Sequence, residues 1–391
     1  MSPPRSRSID RALAEASAAR EVPGVVAMAV TDRGVLYERA FGVRDLHDGP
    51  AMTPDTLFRI ASMTKAVTSV AAMQLVERGL LALDDPVPDI DPALSAPQVL
   101  EGFDPAGVPR LRSARRPITL RHLLTHTAGF GYEIWSPDLV RFVAATGMPT
   151  HATGKVAALR LPLAFDPGER WHYGINLDWV GLIVEAVSGQ PLGRYLQEHV
   201  FGPLGMADTG FAPSAEQRTR MARVHRREPD GSLTPLPPEP PHVPEFYSGG
   251  GDLLSTGPDY LAFLAMLLHE GSRGGARILR PDTVALMRRN QIGDLDAGVL
   301  ATAVPVLSND VDFFPGHSLR WGLGTMLNLG PGPDGRSAGT LSWAGLYNSY
   351  YWIDPARRVA GLIMTQILPF ADRRAVGLYG RFERGVYELL E

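Results

Sequence analysis

No cysteine occurs among the 391 residues of the chain. Disulfides, thiolate catalysis and zinc held by cysteine are therefore excluded, and the compartment is left open by that absence. A surplus of one charge is missing too: 38 basic side chains face 42 acidic ones, for a formal net charge of −4. Partners such as nucleic acid or an anionic membrane call for a basic excess, so neither is expected. Nor is there an uninterrupted apolar run long enough to span a bilayer. The opening MSPPRSRSIDRALAEAS carries basic residues without a continuous apolar segment. No secretory signal is read there, and a cytoplasmic location is the expectation.

What the chain does have is a core. Hydrophobic residues make up 45% and charged residues 20%, which suits a globular chain. The length fits two or three domain-sized units, or one large fused fold. Strand signals sit at the two ends. VPGVVAMAVTDRGVLYERAFG, 22–42, reads as two strands around Asp32-Arg33-Gly34. SYYWIDPARRVAGLIMTQI, 349–367, repeats that arrangement around Asp354-Pro355, with TLSWAG as a short strand before it. Residues 8–20 and 371–390 read as helices. Between the ends lie helical candidates at 118–128, 136–146, 175–188, 191–199, 257–270 and 281–289. The proline-rich 226–245 reads as a long surface loop. Adjacent hairpins mean antiparallel pairing. The expected fold is α/β of the α+β type: a central antiparallel sheet built from both terminal regions, flanked by helices, with a mainly helical insertion. The expected division is 1–95 and 321–391 for the two parts of the sheet domain, and 96–320 for the helical region.

Within FRIASMTKAVTSVAAMQLVERGLLAL, 58–83, Ser62 stands three residues before Lys65 at the mouth of an apolar helix. That spacing puts both side chains on one face. A lysine beside an apolar core can be neutral enough to take a hydroxyl proton, and helix-start amides favour the negative charge of an attacked carbonyl. On spacing alone, a capping serine and a snorkelling lysine remain the simpler reading.

The rest of the chain changes that balance. Ser62-Met63-Thr64-Lys65 within LFRIAS, ITLRHLLTHTAGF at 118–130 and SGGGDLLSTGPDYLAFLAMLL at 248–268 together resemble the penicillin-binding-protein and class C β-lactamase superfamily. The resemblance spans roughly 22–390 and is strongest to the family VIII carboxylesterase branch. It implies an acyl-enzyme on Ser62, with Lys65 as its partner and Tyr173 of FDPGERWHYGINLDWVG as the proton-transfer tyrosine. Many relatives read Tyr-x-Asn, whereas Asn176 falls one position late here, which weakens a lactamase or peptidase reading. In the register of the lactamase Lys-Thr-Gly strand stands Trp343-Ala344-Gly345. Loss of that lysine removes a cation for a substrate carboxylate, and a tryptophan offers an apolar wall instead. The resemblance implies Trp343 and Gly345 at the substrate and the N–H groups of Ser62 and Leu346 as oxyanion donors. The implied function is a serine carboxylesterase acting on small-molecule esters of short to medium chain length, with no cofactor or metal. β-Lactam or D-alanyl peptide hydrolysis, acyl transfer to another alcohol or amine, and a non-catalytic binding protein on the same scaffold are the alternatives.

Two other patterns carry less. GRSAG, 335–339, matches the G-x-S-x-G of α/β-hydrolases, but all ten histidines precede Ser337, so the order serine, acid, histidine cannot be built. His122 and His126 lie four apart, yet HLLTH lacks the glutamate of the zinc motif, and packing or hydrogen bonding near the site is expected of them.

Overall fold

In the computed structural model, which describes residues 6–238 and 243–391, the apolar run GVVAMAVT forms strand β1 (Gly24–Thr31) and is buried at every position. A strand with no solvent-facing side needs cover on both faces. Its hairpin partner β2 (Gly34–Gly42) is largely exposed and closes one edge of the sheet. The other strands come from the far end of the chain: β3 (Leu319–Trp321), β4 (Met326–Asn328), β5 (Leu341–Gly345), β6 (Ser349–Asp354) and β7 (Val359–Met364). The order is β3-β4-β5-β6-β7-β1-β2, and each neighbouring pair is antiparallel. The expected sheet from both terminal regions is thus the one observed, joined where Val26 pairs Met364 and Thr31 pairs Val359.

Successive side chains of a strand point to opposite faces, and β6 shows what covers each. Tyr351 meets Tyr260 of helix α4, while Trp352 next to it meets Phe382 of helix α5. The longest helices in chain order are α1 (Arg7–Ala18), α2 (Thr64–Glu77), α3 (Asn176–Ser188), α4 (Gly257–Leu268) and α5 (Arg373–Leu389). Helices α1 and α5 pack together on the outer face, and α4 lies on the inner one. Helix α2 is buried from Thr64 to Leu75, so it runs through the core and has no polar face, unlike a surface helix. It packs against α3, and this pairing holds the inserted helical part to the sheet.

Differences from the sequence reading are local. The edge strand β3 and its neighbour β4 are three residues each, joined by a connection holding Gly322 and Gly324, so no strand period announces them. A hairpin of Gln98–Phe103 with Pro109–Ser113 also lies within the otherwise helical middle. The proline-rich stretch holds a small ladder, His225–Arg227 with Leu233–Pro235, and its residues 239–242 lie outside the described residues, as do 1–5 of the opening segment. Among the described residues no helix is long and apolar enough to cross a membrane.

The GRSAG segment has a structural job. The Ser337 N–H donates to the Asp354 carboxylate at 2.8 Å, and its C=O accepts from Asn328 and Thr340. Arg336, 1% exposed, forms a fork with Glu383 of α5, at 2.7 Å to Oε1 and 2.6 Å to Oε2. The motif is a turn pinned under α5, with no strand-to-helix elbow.

Candidate active site

Residues 61–63 form a single 3-10 turn, and α2 starts only at Thr64. Ser62 therefore precedes the helix and does not cap it. Ala61 before it sits at φ +44°, a left-handed conformation that costs a non-glycine about 1–3 kcal/mol. The half-buried Ser62 hydroxyl accepts from Lys65 Nζ at 3.1 Å.

Lys65 does not snorkel. It is wholly buried, and its ammonium nitrogen donates also to the Tyr132 hydroxyl at 3.1 Å and the Gly250 carbonyl at 2.7 Å. Burial pushes its pKa down to about 7, against the opposing charge of Asp178. Tyr173, 2% exposed, lies with its ring 4.8 Å from Lys65 Nζ and accepts from Trp343 Nε1 at 3.0 Å. Burial holds its phenol above the usual range, while contacts from the Ser62 hydroxyl and the Trp343 indole work the other way. Ser62, Lys65, Tyr173 and Trp343, gathered from positions spread over most of the chain, thus meet in one place.

Gly345 ends β5 where the strand runs against the turn before the serine. A Cβ there would lie 2.4 Å from the Ile60 carbonyl oxygen, so only glycine permits this approach. The contact sets the end of β5 against the turn that leads into Ser62, and the half-buried Leu346 follows it directly. Around Tyr173 stands an aromatic wall: Trp135 at 5.3 Å and Trp343 at 4.9 Å between ring centres, with Phe313 5.2 Å beyond Trp343.

Asn176 does not reach toward the serine. It is fully buried and its side-chain nitrogen lies 2.9 Å from His126 Nδ1. The His126 carbonyl accepts the His172 N–H at 2.8 Å, and its Nδ1 accepts the Gly174 N–H at 3.4 Å. His126 thereby grips the chain on both sides of Tyr173, the hydrogen-bonding role expected of it near the site. His122 closes a capping box with Thr119, and His172 packs edge-on to Phe165.

Sequence reasoning missed Tyr132, Gly250 and Asp178. Their contacts with Lys65 or one another span 46 to 185 positions of chain. The signal was present in the superfamily-like stretches ending at Phe130 and beginning at Ser248, which flank or contain two of the three.

This fold, with a Ser-x-x-Lys turn set at its inner face beside a tyrosine and a strand-end glycine, is that of the serine β-lactamases and penicillin-binding proteins. The chain belongs to the Beta-lactamase family, whose model matches residues 9–385. It is 35% identical over 397 residues to monacolin J acid methylbutanoyltransferase of Aspergillus terreus, covering 97% of this chain and 95% of that one. Lovastatin esterase of Penicillium rubens is 30% identical, with 94% of each chain covered. Among solved structures, unliganded simvastatin synthase from Aspergillus terreus superimposes with a TM-score of 0.87 at 33% identity, covering 99% of this chain and 98% of that one. The chain is accordingly an enzyme of the serine hydrolase and acyltransferase class.

Proposed function

We propose that this enzyme is an acyltransferase that loads an acyl group from an ester-type donor onto Ser62 and passes it to the hydroxyl of a small organic acceptor. The observation that carries this reading is the sealed basic centre: Lys65 is wholly buried, and Tyr173 stands behind Trp135 and Trp343. Such a wall favours an apolar acceptor over water. Transfer, an alternative to the carboxylesterase at the level of sequence, is also the activity named for the Aspergillus relative. Ester hydrolysis is the second reading, favoured by the Penicillium relative. β-Lactam or peptide hydrolysis has less support, because Asn176 is spent on His126 and Trp343 stands where those enzymes carry a lysine.

In the first half-reaction the Ser62 proton passes to Lys65, the member of the pair that is neutral near pH 7, and the oxygen attacks the donor carbonyl. The N–H groups of Ser62 and Leu346 receive the developing oxyanion. As the intermediate collapses, the leaving alcohol takes a proton from Tyr173, which Lys65 replenishes. The second half runs in reverse: the acceptor hydroxyl yields its proton to the same pair, attacks the acyl carbonyl and frees Ser62. Gly345 contributes by letting the strand end close on the serine turn, and Trp343 by holding the Tyr173 phenol in place.

The test is partitioning. The enzyme is given p-nitrophenyl butyrate with rising concentrations of an apolar secondary alcohol, and butyrate and butyryl ester are quantified beside p-nitrophenol. Ester as the main product supports transfer. Free butyrate at every alcohol concentration means an esterase. Turnover that survives Ser62→Ala, or a fluorophosphonate adduct elsewhere than Ser62, removes the proposed nucleophile.

A further inference from the structure

Behind the serine, lysine and tyrosine lies a second buried polar cluster that the reaction above leaves unused. Its centre is Asp178, in the first turn of α3, with no exposed surface. A carboxylate there is costly unless charge and hydrogen bonds offset its desolvation. Oδ1 accepts from the Ser248 hydroxyl and from the Gly250 N–H at 3.3 Å. Oδ2 accepts from the Tyr132 hydroxyl at 3.4 Å, and His151 Nε2 stands 3.4 Å from Oδ1.

Two short bridges connect Asp178 to Lys65. The Tyr132 oxygen accepts from Lys65 at 3.1 Å while its proton goes to Asp178. The Gly250 carbonyl accepts from Lys65 at 2.7 Å while the N–H of the same residue goes to Asp178. Together they close a ring, and it fits only glycine at 250: a Cβ would fall 2.8 Å from Asp178 Oδ2 and 3.0 Å from Tyr132 Oη. The ring also separates the two phenols that flank Lys65. Tyr132 gives its proton to a carboxylate, so burial and Asp178 keep it protonated and it can only accept from the lysine. Tyr173 receives the Trp343 N–H instead and remains free to trade its proton.

We infer that Asp178 is a positioning residue for the acyl-transfer site: through the Tyr132 hydroxyl and the Gly250 peptide it holds Lys65 on Ser62, and its negative charge, balanced by His151, sets the pH at which the Lys65–Tyr173 pair releases its proton. This rests on the reading of Ser62, Lys65 and Tyr173 as the reacting groups.

The surrounding charges fit that arrangement. Burial works to lower His151, but Asp178, and then Asp252 and Glu133, outweigh it and raise the imidazole above its ordinary range. Burial likewise works to raise Asp178, and His151 followed by Lys65 pull it below the usual carboxylate value. Asp252 accepts the Ser248 N–H at 2.8 Å and also feels Arg59. On the other side of Lys65, His126 is kept neutral by burial and by the lysine itself. About a quarter of the His151 side chain is exposed, and Asp252 beside it also reaches solvent.

The test compares pH profiles of kcat/KM for the wild-type enzyme, Asp178→Asn and His151→Gln, with fluorophosphonate labelling of Ser62 in parallel. Removing the carboxylate charge should move the acid limb of Asp178→Asn down by about one pH unit. Its kcat should fall about ten- to a hundredfold with KM changed less than about threefold, because the ligand-facing wall is untouched. Removing the counter-ion in His151→Gln should move the limb up. A role confined to packing would lower rates at every pH and shift neither limb. Limbs that coincide with the wild type, or that move in the same direction in both variants, overturn the inference. If Asp178→Asn does not fold, the direction of the His151→Gln limb decides alone. Absence of Ser62-dependent turnover in the wild type would overturn the reading of the site itself, whereas labelled Ser62 with unmoved limbs overturns only the role given to Asp178.

Discussion

The indole N–H of Trp343, on β5, points at the phenol oxygen of Tyr173, on the loop leading into α3, at a separation of 3.0 Å. The bond joins the sheet to the helical insertion across the proposed reaction centre. Trp343→Phe keeps most of the wall and removes only the donor. Its kcat should fall about five- to tenfold, the worth of one neutral hydrogen bond, with KM nearly unchanged. A variant with wild-type kcat on p-nitrophenyl butyrate would show the bond to be incidental. Tyr173→Phe should cost far more, about 10²- to 10⁴-fold, as loss of a proton-transfer group does.

Activity should depend on pH with a defined sign. Lys65 is pushed down to about 7 by burial, so below that value it carries a proton and cannot accept another from Ser62. The rate kcat/KM should therefore rise with pH through an apparent pKa near 7 and level off above it. Initial-rate measurements from pH 5 to 9 with a neutral ester check this. A rate independent of pH across 6 to 8 would mean that the lysine stays charged and some other group takes the proton.

Ser337→Ala should leave turnover unchanged, since that serine engages the Asp354 carboxylate and the Asn328 amide through its backbone only. Its neighbour is another matter. Arg336→Met leaves Glu383 buried without its cation, and breaking a buried pair costs about 3–5 kcal/mol. Urea unfolding curves for the two variants should separate them clearly. An Arg336→Met midpoint equal to wild type would contradict the assigned role.

Gly345→Ala places a methyl 2.4 Å from the Ile60 carbonyl and must push the strand end off the serine turn. Misplacing one oxyanion donor costs about 10²- to 10³-fold in kcat. Circular dichroism should remain native, because the displacement is confined to the end of β5. Full activity in this variant would remove Leu346 from the oxyanion site.

Much of this was legible in the sequence because it is carried by local patterns. The two hairpins announce themselves by apolar runs around Asp32-Arg33-Gly34 and Asp354-Pro355, and the pair Ser62 and Lys65 by its motif together with the superfamily-like stretches at 118–130 and 248–268. What stayed hidden is written in no local pattern. Asp178 reads as an acidic residue in the first turn of a helix, where acids are common on solvated surfaces. Only the packing of α3 against α2 buries it beside the lysine. Gly250 reads as one of three successive glycines in SGGGD, and nothing in the run says which of them surrenders its carbonyl to Lys65. Asn176 shows the converse: its displacement by one position from the usual motif was visible, and the structure supplies the reason in His126.

The pairing of β1 with β7 also bears on how the protein is born. Helix α2 and the serine turn leave the ribosome early, yet β1 has no second neighbour until residues 359–364 follow. At about 5–20 residues per second, that wait is on the order of tens of seconds. Through it an eight-residue apolar strand stands with one edge unpaired, a natural client for a chaperone. Trp343 arrives late as well, so a nascent chain that already carries Ser62, Lys65 and Trp135 still lacks the indole that holds the Tyr173 phenol. The strand end that closes on the serine turn comes from the same late segment, so the site is assembled only once synthesis is nearly complete.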